Sequence, residues 1–182
     1  MNRKNFFLLT AFGKVRPGIV SGVARVLYEL GANMEDASMT RLGGEFTMML
    51  ITALPGTVSA AKLEKGLASL QKKLGIQTSV KAIPSAVGVQ GKHEPPKFLI
   101  SVYGTDHPGI VYRVAEAVAK HKASITDLQT KVTGGARPVY VMLLEIQAPS
   151  SADIDDLRTE LDQLRQDLKV EISFQDIEAI PL

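Results

Sequence analysis

The 182-residue chain has no cysteine, no tryptophan, three histidines and an aromatic content of only 5%. Without cysteine there are no disulfides, thiolate metal sites or cysteine nucleophiles. His93 and His121 have no companion at metal-ligand spacing and read as surface residues, so no metal site is expected. Long hydrophobic runs are missing too. The stretch Phe6 to Phe12 behind the basic Met1-Asn2-Arg3-Lys4 is too short for a membrane helix, and no small-residue cleavage site closes it. A cytoplasmic location is therefore expected. No Gly-x-Ser-x-Gly elbow, phosphate loop or dinucleotide fingerprint occurs, so the residues do not point to an enzyme and no cofactor is expected. No helix-turn-helix pattern occurs either.

What is present is an ordinary globular composition, 45% hydrophobic and 22% charged. The net charge of +2 hides an asymmetry. Residues 1–91 carry 11 Lys+Arg against 5 Asp+Glu, and residues 92–182 carry 10 against 14. Either the two halves have differently solvated surfaces, or they attract each other or different partners. Lys62, Lys65, Lys72 and Lys73 are scattered along a helix rather than massed in a stripe, and no nucleic-acid recognition motif lies nearby.

The chain is one module written twice. Gly104-Thr105-Asp106-His107-Pro108-Gly109-Ile110-Val111 follows an apolar run, and Gly13-Lys14-Val15-Arg16-Pro17-Gly18-Ile19-Val20 does the same 91 residues earlier. The register persists from Gly31-Ala32-Asn33-Met34-Glu35-Asp36 to Lys122-Ala123-Ser124-Ile125-Thr126-Asp127. By Pro55 and Pro149 the offset is 94, so three residues are inserted, around Ala136-Arg137-Pro138 in an expected turn. The boundaries expected are a first module over 1–84, a linker over 85–96 rich in proline, and a second module over 97–182.

Each half reads strand, helix, strand, strand, helix, strand. Residues 6–13 form a strand apolar on both faces, as a central strand should be. Pro17 suits a first helical turn. Ile19, Val20, Val23, Val26, Leu27 and Leu30 line one face of that helix, and Gly31 ends it. Asn33 to Leu42 is a polar strand whose alternation slips near Asp36, which marks a bulge or an edge. Gly43-Gly44 turns into a second central strand, Glu45 to Leu54. Thr57 or Ser59 can cap the next helix, with Leu63, Leu67, Leu70 and Leu74 inward and Gly75 at its end; Ile76 to Ile83 closes the module.

The second copy repeats the order. Strand 97–104 leads to a helix from Pro108 with Ile110, Val111, Val114, Ala115 and Val118 inward. Strands 123–133 and 138–147 flank Gly134-Gly135. Ser150 and Asp153 resemble a capping box for a helix carrying Ile154, Leu157, Leu161, Leu164 and Leu168, and Val170 to Ile177 is the last strand. The fold expected is α+β: two tandem ferredoxin-like βαββαβ modules, antiparallel sheets in the order 4-1-3-2 with helices on one face. The other face then needs a second sheet or a partner, so module-to-module packing is expected, either between the two halves of one chain or with another chain as a homodimer or higher oligomer.

A βαββαβ module with Asp106-His107-Pro108-Gly109-Ile110 in its first loop and Ala123-Ser124-Ile125-Thr126-Asp127 after its first helix resembles the ACT domain. The first copy, through Arg16-Pro17-Gly18-Ile19-Val20, Gly31 to Asp36 and Leu42-Gly43-Gly44-Glu45-Phe46-Thr47-Met48, is similar to the tandem-ACT subfamily of glycine cleavage transcriptional repressors. The resemblance implies a regulatory protein without catalysis that senses a small amino acid, with glycine and serine the candidates. It also implies a protein partner such as a transcriptional activator, no direct sequence-specific DNA binding and no membrane. The alternative is a stand-alone ACT protein regulating a metabolic enzyme in trans.

In ACT domains the ligand lies where two modules meet, between the first loop and the start of the second strand. Carried over, the resemblance implies Asp106, His107, Pro108, Gly109 and Ser124 in the second copy, and Val15, Arg16, Pro17, Gly18 and Asn33 in the first. Independently, a glycine beside a helix start lets a ligand approach the backbone, where free N–H groups attract a carboxylate. A side-chain oxygen at Asn33, Ser124 or Asp106 can take an ammonium. The first copy has Val15, between Lys14 and Arg16, where the family has an acid or amide, so the Asp106 loop is expected to be the better site. His107 reads either as a ligand residue or as a plain loop histidine. Asp36 and Asp127 read as groups that bond the backbone at a bulge, or as ligand groups.

Overall fold

The computed structural model describes residues 4–84, 97–136, 138–148 and 152–177. The expected linker and Ser150 of the expected capping box lie outside the described residues. The alternating apolar stretches form β1 (Lys4–Lys14), β2 (Asn33–Leu42), β3 (Glu45–Pro55) and β4 (Gln77–Ile83), with α1 (Ile19–Glu29) and α2 (Ala60–Leu74) between them. The second copy forms β5 (Lys97–Gly104), α3 (Ile110–Lys120), β6 (Ser124–Val132), β7 (Tyr140–Gln147), α4 (Ala152–Leu168) and β8 (Glu171–Ile177). The sheets run β2-β3-β1-β4 and β6-β7-β5-β8, every pairing antiparallel, which is the expected order in both copies. The chain divides into two compact units, residues 1–91 and 92–182.

Each unit has one core, between its sheet and its two helices. In the first, Leu9 faces Leu50 and Ala11 faces Met48 across β1 and β3, and these meet Ile19, Val23, Leu27, Leu63 and Leu67. In the second, Ile100, Val102, Met142, Leu144 and Ile146 meet Ile110, Val114, Val118, Leu157 and Leu161. Removing such side chains from water is the main force holding each unit together. Thr52 is the polar exception in the first core, and its hydroxyl donates to the Phe7 carbonyl at 3.3 Å. The opposite sheet face carries Phe12 and Met49 at 43% and 45% exposure, so the strands expected to be apolar on both faces are covered by helices on only one.

Several local expectations need correcting. Pro17 and Pro108 do not sit in the first helical turn; Gly18 and Gly109 follow them as N-caps with φ of +90° and +101°, and the helices start one residue later. The left-handed turn there favours glycine, so the proline only leads into it. Val20 and Val111 are exposed rather than inward, because the buried face follows Ile19, Val23 and Leu27. A neighbour one position along lies about 100° round the helix. Ala117 is buried where the expectation left it out. Ser59, not Thr57, caps α2, accepting from the Lys62 amide.

The edge strands behave as expected and more so. β2 and β3 slip register between Met34 and Asp36, and β6 and β7 slip between Ile125 and Asp127. In both cases the strand is also an edge. Every residue of β2 and of β6 is exposed, including Met34, Met39, Leu42, Ile125, Leu128 and Val132. The Asp36 carboxylate accepts from the Ala37 amide at 2.7 Å, the backbone role weighed for it. Asp127 instead accepts from the Gln129 amide group.

The two units brace their helices differently. In the first, Gly22 and Gly66 let α1 and α2 approach: a Cβ on Gly22 would lie 2.6 Å from Leu70 Cδ1. The repeat puts Arg113 and Glu160 at these places in the second unit. There Arg113 pairs with Asp167 at 3.1 Å, and Glu160 takes Lys120 and His121, each at 2.8 Å.

Candidate functional site

The second unit's candidate loop begins where β5 ends. Gly104 lies directly opposite Tyr140 on β7, and a Cβ on it would sit 2.7 Å from Val170 Cγ1, so the chain can leave the sheet here only without a side chain. Thr105, Asp106 and His107 then lead to Pro108 and Gly109, and the Arg113 amide closes the first helical turn on the Gly109 carbonyl at 2.9 Å. No side chain caps α3. Its leading N–H groups are therefore open to a ligand, and they carry the positive end of the helix dipole.

His107 is occupied by the fold. Its Nε2 is 3.0 Å from the Leu168 carbonyl and its Nδ1 is 3.2 Å from the Pro108 carbonyl. A neutral ring donates to only one of them. The ring works as a strut from the loop to the end of α4, and Asp106 remains as the exposed acid of the loop.

Tyr140 lies beneath this loop and is a residue the sequence reading passed over. It is 7% exposed, and its hydroxyl has no hydrogen-bond partner, the one such buried side-chain atom among the described residues. Burial raises the phenol's pKa, and the charge of Asp106 raises it further. The repeat offers the signal that was missed: the matching residue of the first unit is Phe46, 2% exposed and without an oxygen.

The first unit's loop is differently equipped. The Val15 amide donates to the Gly44 carbonyl at 3.0 Å, which ties this loop to the β2–β3 hairpin. Arg16, Pro17 and Gly18 are exposed, and Arg16 makes no ion pair among the described residues. Lys14 and Arg16 leave this loop without an acid for an ammonium.

The structure does not bring the predicted residues of either unit into one place. Ser124 opens β6 opposite Gln147, which in turn faces Lys97 at the start of β5, whereas the Asp106 loop follows Gly104 at its end. Seven residue steps of about 3.3 Å put them roughly 23 Å apart along the sheet. In the same way Asn33 faces Ala53, and through it Phe6, while Arg16 and Gly18 lie beyond Lys14. Asn33 also donates to Glu35 at 3.1 Å, and Glu35 stands 4.0 Å from Lys4. The topology explains this: β2 runs parallel to β1, so it starts at the end of the sheet where β1 starts.

Elsewhere, an apolar groove of about 190 Å³ in the first unit runs between α1 and β2, lined by Val20, Ala24, Met34 and Met39 among others. Among the described residues no three acidic, histidine or cysteine side chains cluster to hold a metal, and no helix is long and apolar enough to cross a membrane.

The ACT domain family's sequence profile matches residues 5–81 and 97–175, one stretch in each unit. The glycine cleavage system transcriptional repressor of Escherichia coli K12 is 26% identical over 158 residues, covering 84% of this chain and 80% of that protein. The UPF0237 protein MK1213 of Methanopyrus kandleri is 40% identical over 74 residues, which span 40% of this chain and 82% of its own. A crystal structure of an unknown protein from Galdieria sulphuraria superposes with a TM-score of 0.83 over 97% of this chain and all of the other, at 23% identity, a likeness of fold alone. With the profile matched in both copies and the βαββαβ topology present in each, the chain belongs to the ACT-domain family.

Proposed function

We propose that the protein is a non-catalytic, amino-acid-responsive regulator whose ligand site is built on the Asp106 loop. The observation that carries this reading is the pairing of an exposed carboxylate with an uncapped helix start three residues on. A free amino acid carries the complementary charges, an ammonium for Asp106 and a carboxylate for the open N–H groups of α3. Glycine and serine, being small, are the first candidates.

Because Ser124 and Asn33 stand at the far end of their own sheets, a complete site needs the start of an edge strand from a second copy of the chain. β2 and β6 have the exposure to supply one. Antiparallel pairing of two such edges sets the start of one strand beside the loop end of the other. A long, uncovered edge also presents a row of unpaired backbone N–H and C=O groups, a ready template for such pairing. The Asp106 loop is the stronger half-site, since the Val15–Arg16 loop would repel an ammonium.

Relationship to the Escherichia coli repressor supports a role in transcription, exerted through a protein partner such as a transcriptional activator in the cytoplasm. Control of a metabolic enzyme in trans would use the same site, and the protein that co-purifies with the chain decides between them. A gel-shift assay with the pure protein tests the expectation that it has no sequence-specific DNA binding of its own.

The direct test of ligand response is a thermal-shift panel of the twenty amino acids on the wild type and on Asp106→Ala. Ligand at about a hundred times its dissociation constant adds roughly 2.7 kcal/mol. A rise in melting temperature for one amino acid, lost in the variant, supports the reading; no rise for any of them overturns it. Gly109→Val is a poorer variant, because at φ +101° any side chain strains the folded loop whatever the ligand does.

A further inference from the structure

We propose that Tyr140 is a positioning residue for the ligand loop: when an ammonium takes one oxygen of Asp106, the loop settles inward and the Tyr140 hydroxyl donates to the other. This rests on the reading of the Asp106 loop as an amino-acid site, and it adds the residue that couples occupancy to loop conformation.

The argument starts from an oxygen that packing does not require. Phe46 fills the same point of the first core, so a phenyl ring satisfies the volume. Tyr140 adds a hydroxyl that is sealed from solvent and meets no acceptor. A buried donor left unmet is costly, and native structures rarely keep one without a use. Register and charge together point to the acceptor. Tyr140 faces Gly104, and Asp106 follows two residues later on a loop that leaves the sheet at that point.

The chemistry allows both bonds at once. A carboxylate offers two oxygens and about four lone-pair positions, so a phenol and an ammonium can share it. His107 pins the far side of the loop to the Leu168 carbonyl, which confines the movement to Thr105 and Asp106. Bringing an unpartnered carboxylate against a buried phenol is unfavourable, since the ion loses water. An ammonium on its outer oxygen offsets that loss. The loop then closes on occupancy, and the first unit, with Val15 and Phe46 at the matching places, lacks both groups.

The test uses the full chain as wild type, Tyr140→Phe, Asp106→Asn and the double variant. Each is melted without amino acid and titrated with glycine and with serine by calorimetry, and amide exchange is followed over residues 105–110. The expected result has three parts. Tyr140→Phe melts at or above the wild-type temperature, because it loses only an unmet donor. It binds the responding amino acid about tenfold or more weakly, and adding it to Asp106→Asn weakens binding no further. Amide exchange in the loop slows with amino acid in the wild type and not in Tyr140→Phe, a change that a merely structural hydroxyl would not produce.

Wild-type affinity in Tyr140→Phe overturns the proposal, as does an additive loss in the double variant. A lower ligand-free melting temperature also overturns it, since the hydroxyl would then have a partner at rest. A wild type that binds neither glycine nor serine while another amino acid shifts its melt moves the titration to that amino acid, with the same criteria. A wild type that responds to none of the twenty overturns the functional reading, and this inference with it.

Discussion

Lys122 and Lys169 occupy positions where the first copy has Gly31 and Gly75, and all four adopt a left-handed backbone, the lysines at φ +56° and +53°. A side chain costs roughly 1–2 kcal/mol in that region, part of which glycine gives back through a freer unfolded chain. Lys122→Gly should therefore raise stability by about 0.5–1 kcal/mol in urea melts. Gly104→Ala should act in the opposite direction. Its new methyl meets the stiff Val170 side chain at 2.7 Å and the Val170 Cα at 3.3 Å. A loss of about 1–3 kcal/mol is expected, read by the same melts. A third case turns on pH. The Lys120 hydrogen bond, followed by that of His121, holds the Glu160 carboxyl below its ordinary range. A carboxyl that titrates lower when folded stabilises above its unfolded pKa, and that contribution disappears as pH falls through the folded value. Glu160→Gln should therefore be less stable than wild type near neutral pH, by no more than about 1 kcal/mol for so open a site. The gap should close as melts are taken toward about pH 3.

At the scale of elements, the strands and helices follow from short-range signals that sit next to each other in the chain. Gly43 and Gly44 both take positive φ, as a two-residue hairpin demands. Gly75 ends α2 in the left-handed region, with its amide on the Gln71 carbonyl at 2.8 Å. Ser59→Ala should remove the α2 cap and cost about 1 kcal/mol, measured by thermal melts. What was misread concerns rotation rather than existence. Val20 and Val111 are apolar at nearly the right spacing, yet the phase of each helix was decided by the core that its neighbours built. The one-sided cover of β1 and β3 follows instead from the βαββαβ pattern, which puts both helices on one face, since periodicity alone reports only that both faces are apolar.

For the molecule as a whole, the candidate residues were legible by type and not by place. Asp106, Pro108 and Gly109 do form one loop, because they adjoin in sequence. Ser124 and Asn33 were grouped with the loops through the resemblance, and the sheet sets them at the opposite end. The proposed pairing of bare edges between copies of the chain should be sensitive to charge there. Met39→Lys and Leu128→Lys together should shift the protein toward smaller species in sedimentation, and should abolish any amino-acid response that depends on a second module. An unchanged mass with an intact response would argue against edge pairing as the source of the site.

The sequence by itself determined the duplication and the βαββαβ order, because both rest on apolar spacing and turn residues that act over a few positions, and the strand order then followed from the ferredoxin-like pattern. It also determined which loop holds the acid. The tertiary structure decided which helix faces are inward, that His107 is spent on the Leu168 carbonyl, and that Tyr140 is buried without an acceptor. These depend on contacts between residues far apart in the chain, such as the 61 positions separating His107 from Leu168. Spacing within one element carries no record of what another element will place against it.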